Sequence, residues 1–291
     1  MTFIDTVLQD LHAATGQSHV LRDSQPIGGG CINQALEIRT DRGHYFLKFN
    51  RAELLWMFEA EADGLRELAG TESIRVPQPL LSGSAGGQAY LLMEFLPTGG
   101  RGSMREFGRQ LAGMHAHTGP AFGWHRENAI GATPQPNQQS DDWCEFWREQ
   151  RLGFQLALAK RNGCGARLYD GGQRLMQDTD VLFMQELPDA SLLHGDLWSG
   201  NYAFTSGGEA VIFDPAVYFG DRETDLAMTE LFGGFSADFY AAYNEAWALD
   251  AGYRVRKHLY NLYHILNHYN LFGGGYGAQA QRMIEQLLSE L

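Results

Sequence analysis

Two carboxylates and one amide in the second half of the chain carry the first chemical signal. Asp196 stands in the stretch Leu193-His194-Gly195-Asp196-Leu197-Trp198-Ser199-Gly200-Asn201, and Asp214 closes the apolar run Val211-Ile212-Phe213. A carboxylate can orient or deprotonate an acceptor hydroxyl. An amide oxygen and a second carboxylate suit Mg²⁺, which fills its remaining positions with waters and phosphate oxygens. Together these groups meet the needs of phosphoryl transfer from ATP, which depends on positioning and charge stabilisation. An Asp and an Asn at this separation are common and also serve as helix caps. The information lies in the order: His-Gly-Asp, then Asn, then a short hairpin, then a strand-terminal Asp.

That order resembles the kinase catalytic loop His-x-Asp-x-x-x-x-Asn with a metal-binding Asp on the following hairpin. His-Gly-Asp in place of His-Arg-Asp is similar to the small-molecule branch of the kinase-like fold, which includes aminoglycoside and choline kinases. The Leu-Trp-Ser-Gly-Asn wording and residues 214–227 resemble the fructosamine/ketosamine kinase family in particular. So does the pattern Asn-x-Ile-Gly-x-Thr-Pro-Gln-x-Asn over 128–137, and the resemblance runs over nearly the whole chain. It implies an α+β, bilobal protein-kinase-like fold, with a small N-lobe of antiparallel sheet and one main helix and a larger, mostly helical C-lobe. It also implies transfer from ATP, with Mg²⁺, to the sugar 3-hydroxyl of a ketosamine. The acceptor would be a ribulosamine or fructosamine on a free amine or a protein lysine, and the unstable product makes the activity a repair of glycation. A kinase for another amine or sugar is the same-fold alternative. A nucleotide-binding pseudokinase is the alternative from another class, and the intact base and metal positions count against it.

The preceding elements must position a nucleotide. Apolar spacing predicts a helix over 2–15, and Ser18–Ile27 reads as a strand. Gly28, Gly29, Gly30, Cys31, Ile32 and Asn33 then lead into a strand through Leu36 and Ile38. Alone, three glycines are most often a flexible turn. Set between strands and one hairpin ahead of Lys48, they match the way kinases cover ATP phosphates, where missing Cβ atoms let backbone N–H groups approach. The loop is neither a Walker loop nor a dinucleotide fingerprint. Cys31 there reads first as a small buried residue; the alternative is a thiolate favoured by those N–H groups and by Lys48, and so sensitive to oxidation.

Lys48 lies on the strand His44–Asn50 and needs a carboxylate from the following helix, predicted over Glu53–Ala69. Glu59 and Glu61 are the candidates; the family's Glu-Ala-x-x-Leu pattern selects Glu61. Met93, Glu94, Phe95 and Leu96 resemble a kinase hinge whose backbone binds adenine. The expected boundary therefore falls near 96, with an N-lobe of 1–96 and a C-lobe of 97–291.

In the C-lobe, Ser103 and Glu106 make a capping box for a helix to His117. His115 and His117 read as packing or surface residues. Residues 128–137 read as a polar loop, either substrate-contacting or lobe-bracing. A helix over Asp141–Arg161 carries a core stripe of Trp143, Phe146 and Trp147. His194 braces the catalytic loop, as in the family. Trp198 either packs a sugar or amine or anchors its loop. Asp221, Arg222 and Asp225 read as an ion-pair network. His264 and His268 are spaced as a metal pair, but with Asn267 they resemble a family motif near the acceptor, and that is the preferred reading.

Composition narrows the partners. The 291 residues carry a net charge of −13, which argues against nucleic acid or an anionic membrane surface. Cys31, Cys144 and Cys164 share no metal-ligand spacing, and a reducing cytoplasm is the expected setting. Neither a signal peptide nor a membrane-spanning apolar stretch is legible. Oligomeric state is not.

Overall fold

A computed structural model describes residues 2–28, 32–183 and 187–291. Helix α1 (Phe3–Thr15) starts at a reciprocal capping box: the Thr2 hydroxyl accepts the Asp5 N–H at 3.2 Å and the Asp5 carboxylate accepts the Thr2 N–H at 2.7 Å. It ends at Gly16, which takes the left-handed φ of 70°. Val7, Leu8 and Leu11 recur at helical spacing and are buried.

Strands β1 (Leu21–Ile27), β2 (Gln34–Thr40) and β3 (His44–Arg51) follow. Helix α2 (Leu55–Gly70) comes next, then β4 (Pro79–Ala85) and β5 (Gln88–Glu94). The five strands form one antiparallel sheet in the order β1-β2-β3-β5-β4. Two-residue alternation sorts β3 between its faces. Leu47 and Phe49 join Val7, Leu8, Leu11, Ile38, Tyr90 and Leu92 in one core cluster. Lys48, between them, points to the other face, where it meets Glu61 of α2. Phe58, Leu65 and Leu68 of α2 are buried.

The rest is mostly helical. Helix α3 (Met104–His115) has one half of its expected capping box, Ser103 Oγ accepting the Glu106 N–H at 3.2 Å. Residues 128–137 are not an open loop: they fold as a hairpin of β6 (Asn128–Ile130) and β7 (Thr133–Gln135), with Asn128, Gln135 and Asn137 buried. The helix predicted over 141–161 is α4 (Trp143–Phe146), a π-helical stretch Trp147–Gly153, and α5 (Phe154–Arg161). Gly153 accommodates the wider turn, since a Cβ there would sit 2.6 Å from the Arg148 carbonyl. The aromatic stripe is core as expected; Trp143, Phe146 and Trp147 are each about 1% exposed. Helix α6 (Ala166–Asp178) is followed by the short strands β8 (Ser191–Leu193), β9 (Tyr202–Phe204), β10 (Ala210–Ile212) and β11 (Tyr218–Gly220). Helices α7 (Glu223–Leu231), α8 (Ala237–Ala246), α9 (Tyr253–Phe272) and α10 (Gly275–Glu290) complete the chain.

The chain divides into two compact units, Met1–Gly102 with Ala203–Phe213, and Ser103–Tyr202 with Asp214–Leu291. The division falls at 102 and not near 96 because the connector is tied to the 203–213 hairpin. The amides of Gly99 and Gly100 donate to the Phe204 carbonyl at 3.1 and 3.2 Å, and Thr98 bridges Thr205. Among the described residues no helix is long and apolar enough to cross a membrane.

Candidate active site

The second unit holds Asp196 on a loop that is fixed at its base. Strand β8 pairs with β11, setting Leu193 opposite Tyr218, and ends where the loop begins. Asp225, in the first turn of α7, accepts the His194 amide at 2.7 Å and the Gly195 amide at 2.8 Å. His115 reaches the same carboxylate through Nε2 at 3.1 Å and the Tyr243 hydroxyl through Nδ1 at 2.8 Å. Burial pushes the Asp225 carboxyl up, but His115 and the loop amides outweigh it and hold its pKa below the ordinary value. His115 is thus a packing residue with a task, whereas His117 is exposed.

Gly195 shows why His-Gly-Asp is written here. Its φ is +82°, and a Cβ would lie 2.0 Å from the Ala216 carbonyl oxygen. No side chain fits that approach. His194 is fully buried and braces the loop: its Nδ1 accepts the Asp196 N–H at 3.3 Å and its carbonyl accepts the Ala216 N–H at 2.8 Å.

Asn201 turns its amide nitrogen to Asp196, donating to the carbonyl at 2.8 Å and to Oδ2 at 3.3 Å. Burial, then the charges of Asp214 and Asp225, raise the Asp196 pKa well above the ordinary carboxylate value, and the Asn201 hydrogen bond only partly offsets them. Asp214 has a φ of +59°, rare for a residue with a Cβ; strain of this kind costs about 1–3 kcal/mol and gathers at functional sites.

The segment after Asp214 is held from below by the 128–137 hairpin. Asn128 Nδ2 donates to the Val217 carbonyl at 2.7 Å, and Gln135 Nε2 to the Ala216 carbonyl at 3.0 Å. Tyr263 of α9 donates to Gln135 Oε1 at 2.7 Å. Arg151, fully buried, donates to Asn137 Oδ1 at 2.7 Å and lies 3.9 Å from the Tyr218 ring centroid. Of the two readings of this stretch, its contacts are those of a brace. Neither Arg151 nor Asp225 is legible from sequence as part of the site.

The first unit holds the other set. Lys48 Nζ lies 2.5 Å from Glu61 Oε1, and both side chains are largely shielded from water. The glycine-loop residues Gly29, Gly30 and Cys31 lie outside the described residues. Of the described loop positions, Gly28 has open space where a Cβ would be. Asn50, on β3, donates to the Ile32 carbonyl at 3.0 Å and to Asn33 Oδ1 at 2.9 Å, tying the loop's end to Lys48's strand. At the expected hinge residues, the amides of Glu94 and Phe95 are engaged by the carbonyls of Gln78 and His44. The Glu94 carboxylate holds Arg75 at 2.7 Å, Met93 is buried, and Phe95 stacks on His44. Leu96 follows at the start of the connector.

The acceptor candidates divide. Trp198 is 36% exposed and lies over Gly200, where a Cβ would be 2.3 Å from the indole. His268 is half-buried, with Nδ1 on the His264 carbonyl at 2.8 Å. His264 is buried, and that burial, reinforced by His268, lowers its pKa to about 3. Asn267 is buried between Gln155 and the Ile130 carbonyl, a packing position. Among the described residues no group of three His, Cys, Asp or Glu is arranged to hold a metal, so the two histidines have no third ligand.

Asp221, Arg222 and Asp225 do not form the expected ion-pair network. Arg222 bonds the carbonyls of Trp247 and Ala248, Asp221 takes the Tyr260 hydroxyl, and Asp225 serves the loop. Successive residues at a helix start point in different directions, so adjacency in sequence does not pair them.

The fructosamine kinase family model matches residues 3–290. A Synechocystis protein named "probable ketoamine kinase" is 48% identical over 286 residues, covering 97% of this chain and 96% of its own. The chloroplastic protein-ribulosamine 3-kinase of Arabidopsis thaliana is 46% identical, over 91% of this chain and 82% of its own. A solved structure from Haemophilus somnus, put forward as a fructosamine-3-kinase, has a TM-score of 0.89 at 32% identity and covers 97% of this chain and 96% of its own. The fold also extends, at 14% identity and a TM-score of 0.62, to an aminoglycoside phosphotransferase in ternary complex with ADP and hygromycin B.

Proposed function

Because the chain belongs to the fructosamine kinase family, we propose that it is an ATP-dependent ketosamine kinase. It phosphorylates the 3-hydroxyl of ribulosamine or fructosamine groups on amines or protein lysines, and so serves deglycation. The observation that carries this reading is the Asp196–Asn201 loop, pinned at its base by Asp225, in a chain matched almost end to end.

Asp196 orients the acceptor hydroxyl and takes its proton as the oxygen attacks the γ-phosphorus, while the bond from that phosphorus to the β,γ-bridging oxygen breaks and ADP leaves. Asn201 Nδ2 keeps that carboxylate in place. Lys48, steadied by Glu61, binds the α- and β-phosphates, and residues 28–33 close over them. Backbone groups of residues 93–96 receive the adenine edge. Trp198 offers a flat face to the sugar.

Asn201 and Asp214 would hold Mg²⁺, which supplies the positive charge that offsets the phosphate oxygens. The residues fit such an ion. Asn201 commits its amide nitrogen to Asp196, so Oδ1 is the atom it has to offer. Asp214 adds a hard carboxylate oxygen, and its charge against Asp196 is of the kind a cation relieves.

The test is ATP consumption by purified protein with Mg²⁺ across ribulosamine, fructosamine, choline and an aminoglycoside. Turnover on the ketosamines alone is expected. Asp196→Asn should lower it by roughly 10²–10⁴-fold with ATP binding kept. Turnover confined to choline or the aminoglycoside would sink the acceptor assignment, and full turnover in the variant would sink the role of Asp196.

A further inference from the structure

A row of aromatic side chains leads away from the catalytic loop in the second unit. Trp198 stands two residues after Asp196, and its ring meets Phe232 edge-on at 6.0 Å between centroids. Phe232 lies 5.0 Å from His268, and His268 lies 5.8 Å from Phe272 and 5.1 Å from Tyr276. These residues come from four places in the chain: the loop, the end of α7, the last turns of α9 and the first turn of α10. Two glycine pairs fix the turns beside them, Gly233 and Gly234 after Phe232, and Gly273 and Gly274 after Phe272, all at positive φ.

The row is not core. Trp198 is 36% and Phe272 57% exposed, while Phe232, His268 and Tyr276 are half-buried. Contiguous exposed aromatics mark a binding surface more often than chance. We propose that Phe232, His268, Phe272 and Tyr276 form the subsite for the amine-bearing half of the acceptor, with Trp198 at its sugar end. The proposal rests on the ketosamine reading above.

Ligand chemistry selects this occupant. In a ketosamine the nitrogen is joined to C1, so only the C1–C2–C3 stretch separates it from the reacting 3-hydroxyl. An acceptor with that hydroxyl at Asp196 must place its nitrogen, and whatever the nitrogen carries, within reach of the side chains nearest the loop. The nitrogen is a protonated amine at neutral pH. Aromatic faces attract such a cation and at the same time pack the methylenes or ring of its substituent. The row begins at the loop and runs outward to an exposed end at Phe272, which leaves room for a substituent as long as a lysine side chain on a protein.

The experiment compares wild type with Phe272→Ala, Tyr276→Ala and Phe272→Leu on three ketosamines. They share one sugar and differ in the amine: methylamine, Nα-acetyl-lysine and benzylamine. The alanine variants should raise KM for the lysine and benzylamine adducts by about 5- to 30-fold, with a much smaller rise for the methylamine adduct and little change in kcat. Phe272→Leu, which keeps apolar bulk but loses the ring face, should behave like Phe272→Ala on the lysine adduct. Wild-type turnover with unchanged KM values in every variant would overturn the subsite and leave the kinase reading standing. An equal rise for all three adducts would reduce the row to a structural support and also overturn it. A change in sedimentation without a change in KM would reassign the surface to contacts between copies of the chain. Absence of wild-type turnover on all three ketosamines would remove the kinase reading and the subsite with it.

Discussion

Asp225 accepts the amide hydrogen of Gly195 at 2.8 Å across a separation of thirty residues. Its other oxygen takes the neighbouring His194 amide at 2.7 Å, so one buried carboxylate fixes two consecutive peptide units immediately before Asp196. Removing it leaves two buried N–H groups and His115 without their acceptor. Taking one partner from a buried charged network typically costs about 3–5 kcal/mol. Asp225→Ala should therefore lower the urea unfolding free energy by that order and lose turnover even where the protein stays folded. Equal stability and turnover in the variant would mean that the loop holds its own shape.

Gly195 and Gly28 give opposite expectations for the same substitution. At Gly195 an alanine Cβ meets the Ala216 carbonyl at 2.0 Å with φ at +82°, whereas at Gly28 it meets nothing within 4 Å. Gly195→Ala should cost about 1–3 kcal/mol or more in stability and displace Asp196. Gly28→Ala should leave the melting temperature unchanged and, on the proposed phosphate-covering role of this residue, raise the KM for ATP. Thermal melts and ATP titrations on the two variants separate these effects. A Gly28→Ala variant with wild-type KM would remove that residue from the phosphate cover.

What is legible in the sequence is local. Asp196 and Asn201 sit on one short loop, so their separation along the chain is already a distance in space, and the capping residue Ser103 is local for the same reason. Strand β3 is legible because two-residue alternation isolates Lys48 among Leu47 and Phe49. The hidden parts work through tertiary contact. His115 acts on Asp225, 110 residues away, and Asn128 on the Val217 carbonyl, 89 residues away. Polar residues at 128–137 suggest an exposed loop, yet they are buried because each amide has a partner there. The π-helical stretch at 147–153 leaves no mark either, since apolar periodicity hardly distinguishes one wider turn inside a helix.

The pair Lys48 and Glu61 yields a third expectation. With Nζ and Oε1 2.5 Å apart and both side chains largely buried, the carboxylate fixes where the ammonium can point. Glu61→Gln keeps the shape but removes the charge, so the lysine is freer to turn from the phosphates. The KM for ATP should rise about tenfold or more, the scale of one weakened charge-assisted hydrogen bond, with less effect on the KM for the acceptor. Glu59→Gln is the control. If the Glu59 change raised the KM for ATP and the Glu61 change did not, the choice between the two carboxylates would be reversed.

His264 adds one acid-sensitive contribution to the stability of the second unit. Burial on α9, with His268 nearby, lowers its pKa to about 3 from an ordinary value near 6.5. The folded state therefore binds the proton less readily than the unfolded chain does. Its stabilising contribution is fully present above pH 6.5 and is lost as the pH falls from there toward 3. A tenfold difference in proton affinity between the folded and unfolded states is worth about 1.4 kcal/mol, so the loss across the window is on the order of a few kcal/mol. Carboxylates such as Asp225, whose pKa is lowered, add their own acid sensitivity at lower pH. The diagnostic quantity is thus the difference between proteins. His264→Gln carries no titratable group, so its stability at pH 7 will differ from wild type by whatever its packing costs, while its slope between pH 6.5 and 4.5 should be shallower. Urea denaturation at a series of pH values reads that slope directly. Parallel curves for the two proteins would mean that His264 gains its proton in the folded state about as easily as in the unfolded one.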